Sequence, residues 1–163
     1  MNHIVQVPDE MEEQQFAKEV LYAHVMARSV QLCAGLATAG TLASIPFVQQ
    51  SIPIVTRVLT NNSRAVLVGL VVGPVMTFGR MQDQTLVDWQ DRSWRLLQNP
   101  GQNNVDIGMT AGAIVCAAAA AVATNRPHIA TRILGGAGIG SVAGLGLLAF
   151  LPADSSTPLW RKH

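Results

Sequence analysis

The residues best suited to chemistry fall in one short stretch: Asp88, Trp89, Asp91, Arg92, Trp94 and Arg95. Asp88 and Arg92, and again Asp91 and Arg95, place an acid four residues before a base, the favoured order for an ion pair along a helix. Two tryptophans are interleaved with these pairs, and Leu86, Val87, Leu96 and Leu97 supply apolar contact. Indole rings, apolar in body and polar at one edge, suit a membrane–water boundary or the surface of a partner. The pattern describes recognition, by an interfacial helix or a docking face, rather than catalysis.

Other reactive side chains are scattered. His24 and His128 stand beside apolar runs, and His3 and His163 sit at the two ends. Cys33 and Cys116 each lie inside an apolar run, with no Cys-x-x-Cys and so no zinc or disulfide pattern. No His-x-x-x-His, paired carboxylate or phosphate-cradling loop occurs within a run. The expectation is no catalytic residue, no metal site and no cofactor. A net charge of +1 without a basic stripe excludes nucleic acid as the main partner, and nothing points to a small-molecule substrate.

The elements that must position these residues are apolar. Of 163 residues 49% are hydrophobic and 13% are charged, about half the charged fraction usual in soluble domains. Between Arg132 and Asp154 no charge occurs; a helix of that length rises roughly 31 Å, enough to cross the hydrocarbon core. Three more uncharged runs lie between Arg28 and Arg57, Arg64 and Arg80, and Asp106 and Arg126. They predict an all-α membrane protein of four transmembrane helices, with spans at about 29–48, 58–79, 107–125 and 133–151. The second span lengthens backwards past Arg64 if that side chain snorkels, and Pro74 is placed to kink it.

Small residues recur four apart in every run: Gly35 with Ala39, Gly69 with Gly73, Gly108 with Gly112, and Gly136, Gly140 and Gly144. Such residues share one helical face and admit a neighbouring backbone. Lipid supplies little hydrophobic drive between helices, so close contact has to hold them together. These eight glycines are the expected helix-packing sites of a Gly-rich bundle.

Two polar segments add amphipathic helices. An acidic N-terminal helix within 1–28 is expected to start with Asp9 as cap and Glu12 three residues on. The acidic opening does not read as a signal peptide, so targeting is expected to be internal. The tryptophan segment, 80–98, is expected to end at Asn99-Pro100-Gly101. Residues 152–163 form a tail. Loops 49–64 and 124–132 carry Arg57, Arg64, Arg126 and Arg132 and no acid, while all ten acids lie on the other side. Lysines and arginines number seven to four in favour of the terminal side, but their density favours the arginine loops; the two measures of orientation oppose each other.

Gly79-Arg80-Met81, followed by Asp88-Trp89-Gln90-Asp91-Arg92-Ser93-Trp94-Arg95-Leu96-Leu97, resembles the NUXM family of fungal accessory subunits of mitochondrial respiratory complex I. The four Gly-rich runs with short arginine-bearing loops also look like the four-helix family of inner-membrane preprotein translocases. The likeness covers roughly residues 20–151. It implies a supernumerary, non-catalytic subunit in the membrane arm of the NADH:ubiquinone oxidoreductase, supporting assembly and stability. Membrane-arm subunits and membrane lipids are the implied partners, and the mitochondrial inner membrane is the implied location. The termini and tryptophan segment would then face the intermembrane space and the arginine loops the matrix. A translocase or channel component is the alternative, although no polar cluster suits a protein-conducting groove. A small transporter with two inverted halves is the third reading, opposed by the uncharged centres of the runs.

Overall fold

The computed structural model describes residues 7–47, 51–123 and 126–150, with side chains to Leu147. It is all-α, and no strand occurs among the described residues. Five helices follow one another: α1 Ala17–Ala43, α2 Ile54–Met81, α3 Leu86–Gln98, α4 Pro100–Ala123 and α5 Ile129–Phe150. Four of them, α1, α2, α4 and α5, are long and apolar enough to cross a membrane. The expected tail at 152–163 lies outside the described residues, as do Val48, Asn125 and Leu151 at the ends of three expected spans.

The helices overrun the uncharged runs that announced them, because a charged side chain does not interrupt the backbone ladder. Thus α1 begins at Ala17, well before Ser29, and ends at Ala43. There the Ser44 N–H still reaches the Gly40 carbonyl at 3.1 Å, and Pro46 falls in a 3-10 turn at Ile45–Phe47. Helix α2 starts directly after Pro53 and passes through Pro74 to Met81. Asn99-Pro100-Gly101 ends α3 as expected, and it also starts α4. Pro100 is the first helical residue, where its missing N–H is harmless. Asn99 Oδ1 accepts from the Gln102 N–H at 3.2 Å as a cap.

The N-terminal segment corrects one expectation. Met11–Glu13 is a single 3-10 turn, with Glu10 rather than Asp9 at its cap position and no side-chain cap bond. Phe16 adopts φ 54° and separates this turn from α1. Among the described residues, the α-helical part of the N-terminal segment is therefore the first stretch of α1.

Helices α1 and α2 run antiparallel, with Gly69 against Val30 and Gly73 against Met26. Helices α4 and α5 also run antiparallel, with Gly112 against Gly140 and Gly144 against Gly108. The two pairs meet through α5, which lies parallel to α2, placing Gly135 on Leu59. All four chain ends of the loops carrying arginine thus gather at one end of the bundle. Helix α3 lies across the other end, against α1.

Candidate packing and docking surfaces

The glycine contacts are built from backbone. A side-chain carbon added at Gly112 would fall on the Gly140 carbonyl, one at Gly140 on the Gly112 carbonyl, and one at Gly144 on the Gly108 carbonyl. One at Gly136 would lie 2.5 Å from the Cys116 carbonyl oxygen and 2.8 Å from Ala120 Cβ. Residues 108, 112 and 116 of α4 thus face 144, 140 and 136 of α5 as a continuous seam. On α2, a carbon at Gly69 or Gly73 would strike the backbone of Val30 or Met26.

Gly35 differs. A carbon there meets only Val142 Cγ2 at 3.8 Å, an ordinary contact. Gly35 is not required for close approach, so its expected packing role is corrected. Two other glycines carry that role instead. Gly135 faces the Leu59 backbone, and a carbon at Gly138 would come within 3.0 Å of Val66 Cγ2 and 3.2 Å of Asn62 Oδ1. They sit at i and i+3, off the spacing-four pattern, and form a second glycine face on α5.

Polar bonds accompany the glycines. Asn62, wholly buried, donates to Thr38 Oγ1 at 2.9 Å, and Asn61 donates to Thr41 Oγ1 at 2.8 Å, both from α2 to α1. Gln31 of α1 donates to the Ser141 carbonyl of α5 at 3.1 Å. Across the terminal end, Arg28 Nη2 donates to Asp106 Oδ1 at 2.5 Å and Nη1 to Gln31 Oε1 at 2.8 Å. With its amide oriented to match, Gln102 Oε1 accepts from Arg28 Nε at 2.9 Å. His24 Nδ1 lies 4.0 Å from the same Asp106 oxygen. The Asp106 and Arg28 side chains are 10% and 24% exposed. Sequence reasoning treated Asp106 and Arg28 only as borders of runs. Their separation by 78 positions left no local signal of the pair.

The tryptophan helix is amphipathic; Trp89 faces inward and Trp94 is half-buried. Trp89 is 7% exposed; it stacks on Tyr22 (centroids 5.8 Å apart), lies under the Lys18 ammonium at 5.6 Å, and packs with Ala17 and Met81. Trp94 Nε1 donates to the Pro8 carbonyl at 3.1 Å, and Gln90 donates to the Glu12 carbonyl at 2.6 Å. Trp89 and Trp94 both fasten this chain's own N-terminal segment; Trp89 is buried, which corrects its expected display to a partner. Leu86 and Val87 form the exposed apolar part.

The two acid–base pairs also divide. Asp91 and Arg95 form the expected ion pair at 2.8 Å, a surface pair of little energetic weight. Asp88 turns to Thr85 instead, making a capping box with the Thr85 N–H at 2.9 Å and hydroxyl at 2.7 Å. Those bonds hold its carboxyl below the usual aspartate range, with a lesser contribution from Arg92.

The chain also matches a known family in sequence. Residues 2–147 match the family described as protein of unknown function DUF1757. The chain belongs to the DUF1757 family. No curated protein matches it. The matched region takes in every described helix up to Leu147, so the glycine seam, the Arg28–Asp106 pair and the tryptophan helix all lie within the DUF1757 unit. Among its described residues, no three His, Cys, Asp or Glu side chains lie close enough together to hold a metal ion.

What α4 presents outward is largely apolar. Of the 24 residues of α4, only Asn103 and Asp106 are buried; Ile114, Val115 and Val122 are bare, Val122 at 84%. Beside the seam, Gly108, Ala111, Gly112, Val115, Ala143 and Leu147 line an apolar groove of about 290 Å³.

Proposed function

We propose that the chain is a non-catalytic accessory subunit of a larger membrane assembly, specifically of the membrane arm of mitochondrial respiratory complex I in the inner membrane. The observation that carries this reading is the contrast on α4. One side is closed on α5 by backbone contact, and the rest is an apolar surface lined by small residues. A helix of this kind accepts another helix closely. Within the bundle, Arg28 and Asp106 pair with each other across α1 and α4. The likeness of the tryptophan segment to complex I accessory subunits supplies the particular assembly, its membrane-arm partners and the organelle.

Native electrophoresis of detergent-solubilised membranes tests the proposal. Co-migration of the chain with NADH dehydrogenase activity, at fixed stoichiometry by mass spectrometry, is the expected result. Migration with protein-import machinery instead would transfer the chain to the translocase reading. Solute flux in reconstituted vesicles, abolished by a substitution in the bundle, would make it a transporter.

A further inference from the structure

The two ends of the bundle treat their arginines differently. At the terminal end Arg28 meets Asp106 and Arg95 meets Asp91. At the opposite end stand Arg57 and Arg132, near the starts of α2 and α5, and no acidic residue occurs from 20 to 82 or from 107 to 153. Arg57 Nη2 donates to Ser44 Oγ at 2.9 Å, but its Nη1 is buried without a hydrogen-bond partner. Arg132 Nε is likewise buried without one. A buried guanidinium N–H lacking an acceptor is costly, and an acceptor bearing negative charge satisfies it best.

The backbone adds to this demand. Helices α2 and α5 run parallel, so both present their N-termini here, at Ile54 and Ile129. The positive ends of two helix dipoles therefore reach the same surface, with His128 Nδ1 accepting from the Ala130 N–H at 3.3 Å at the start of α5. No acidic residue stands in the first turn of either helix, and Pro53 at the start of α2 offers no side-chain cap. Bare apolar side chains lie among the arginines: Phe47, Ile52, Val55, Ile129 and Ile133 are exposed.

We propose that this end binds the phosphate of an anionic phospholipid headgroup, with Arg57 and Arg132 as direct contacts. The charge selects an anion, and the position selects its source. The rim of four apolar helices is where lipid phosphates lie, and the exposed Phe47, Ile52 and Ile133 suit acyl chains beneath them. A nucleic acid or free phosphate would leave those apolar side chains uncovered. The inference needs only that the four helices span a bilayer; it does not rest on membership of complex I.

The test uses the full chain purified in neutral detergent. Phosphatidylglycerol, phosphatidylcholine of the same acyl chains, and sodium phosphate are each added, and the unfolding midpoint is read. Phosphatidylglycerol should raise the midpoint by about 5 °C, as a ligand of the folded state does, while the other two leave it unchanged. Arg57→Gln and Arg132→Gln should each lose at least half of that shift, whereas Arg80→Gln at the terminal end keeps it. Should the Gln variants fail to fold, Arg132→Lys retains the charge without the planar fork and should show a reduced shift. Native mass spectrometry of the unaltered chain gives a second reading, retention of phosphatidylglycerol over phosphatidylcholine. Equal shifts with both lipids overturn the proposal. So does a full shift with phosphate alone, which would mean a free-anion site, or an undiminished shift in the double Gln variant.

Discussion

Where α4 crosses α5 nothing separates the backbones: the carbonyls of Gly108, Gly112 and Cys116 occupy the space that side chains of Gly144, Gly140 and Gly136 would fill. Where α1 crosses α2, glycines serve only the half near the terminal end, at Gly69 and Gly73. Toward the arginine end, Thr38 with Asn62, Thr41 with Asn61, and Ser44 with Arg57 take over. In lipid, an apolar side chain gains little by leaving its surroundings for another helix. Two routes to association remain, backbone proximity and hydrogen bonds between side chains. The α4–α5 pair follows the first, and the α1–α2 pair combines both.

Substitutions that fill or empty these contacts test the contrast. Gly140→Leu should have the largest effect, about 3 kcal/mol of lost stability as in overpacked interiors, read by thermal unfolding in detergent. Gly35→Ala should cost nothing, because open contact surrounds it and alanine favours helix. If the two variants unfold alike, the seam is not a backbone contact. Asp106→Asn should follow at about 2 kcal/mol, since it strips the charge partner from a largely buried arginine. Arg28→Gln in the same chain should recover part of that loss in a double-mutant cycle. Additive losses would show that the two helix pairs are not joined there.

Smaller effects sharpen the picture. Asn62→Val should cost about 1 kcal/mol, the scale of a hydrogen bond between membrane helices, and Thr38→Val should add nothing further once Asn62 is gone. Additivity of the two would assign Asn62 a different partner. Trp94→Phe removes the donor to the Pro8 carbonyl. Faster amide exchange should then appear in residues 8–16 with little change in the unfolding midpoint; unchanged exchange would mean that the bond is not what fastens the segment. Acid should have the mildest effect. The Asp88 pKa is lowered by folding, so its contribution to the α3 cap is complete above the ordinary aspartate value of 3.8 and fades as pH falls through the lowered folded value. Amide exchange at the start of α3 should therefore accelerate only in strong acid. Thr85→Ala should remove that dependence along with the cap.

The sequence made the four long helices legible, because an uncharged run of membrane length has few other readings. The seam glycines at 112, 136, 140 and 144 were legible for a related reason, their spacing of four on one helical face. Gly135 and Gly138 were not, since a face at i and i+3 is hidden among the more regular glycines of the same helix. Gly35 had the right spacing without a backbone opposite it, which spacing cannot report. The tryptophan helix was visible as an amphipathic element, but its inward direction was not. That depends on Tyr22 and Pro8, which pack against it from more than sixty residues away in the chain. The Asp106–Arg28 pair joins two run borders, and either border read alone is a helix end facing water.

Helix α5 has glycines on two adjoining sides, Gly135 and Gly138 toward α2 and Gly136, Gly140 and Gly144 toward α4. Little of its circumference at those levels can accept added volume. Among DUF1757 chains from different lineages, amino-acid drift should accordingly be slowest along this one helix and freest on the bare side of α4, where nothing of the same polypeptide constrains which apolar residue is chosen.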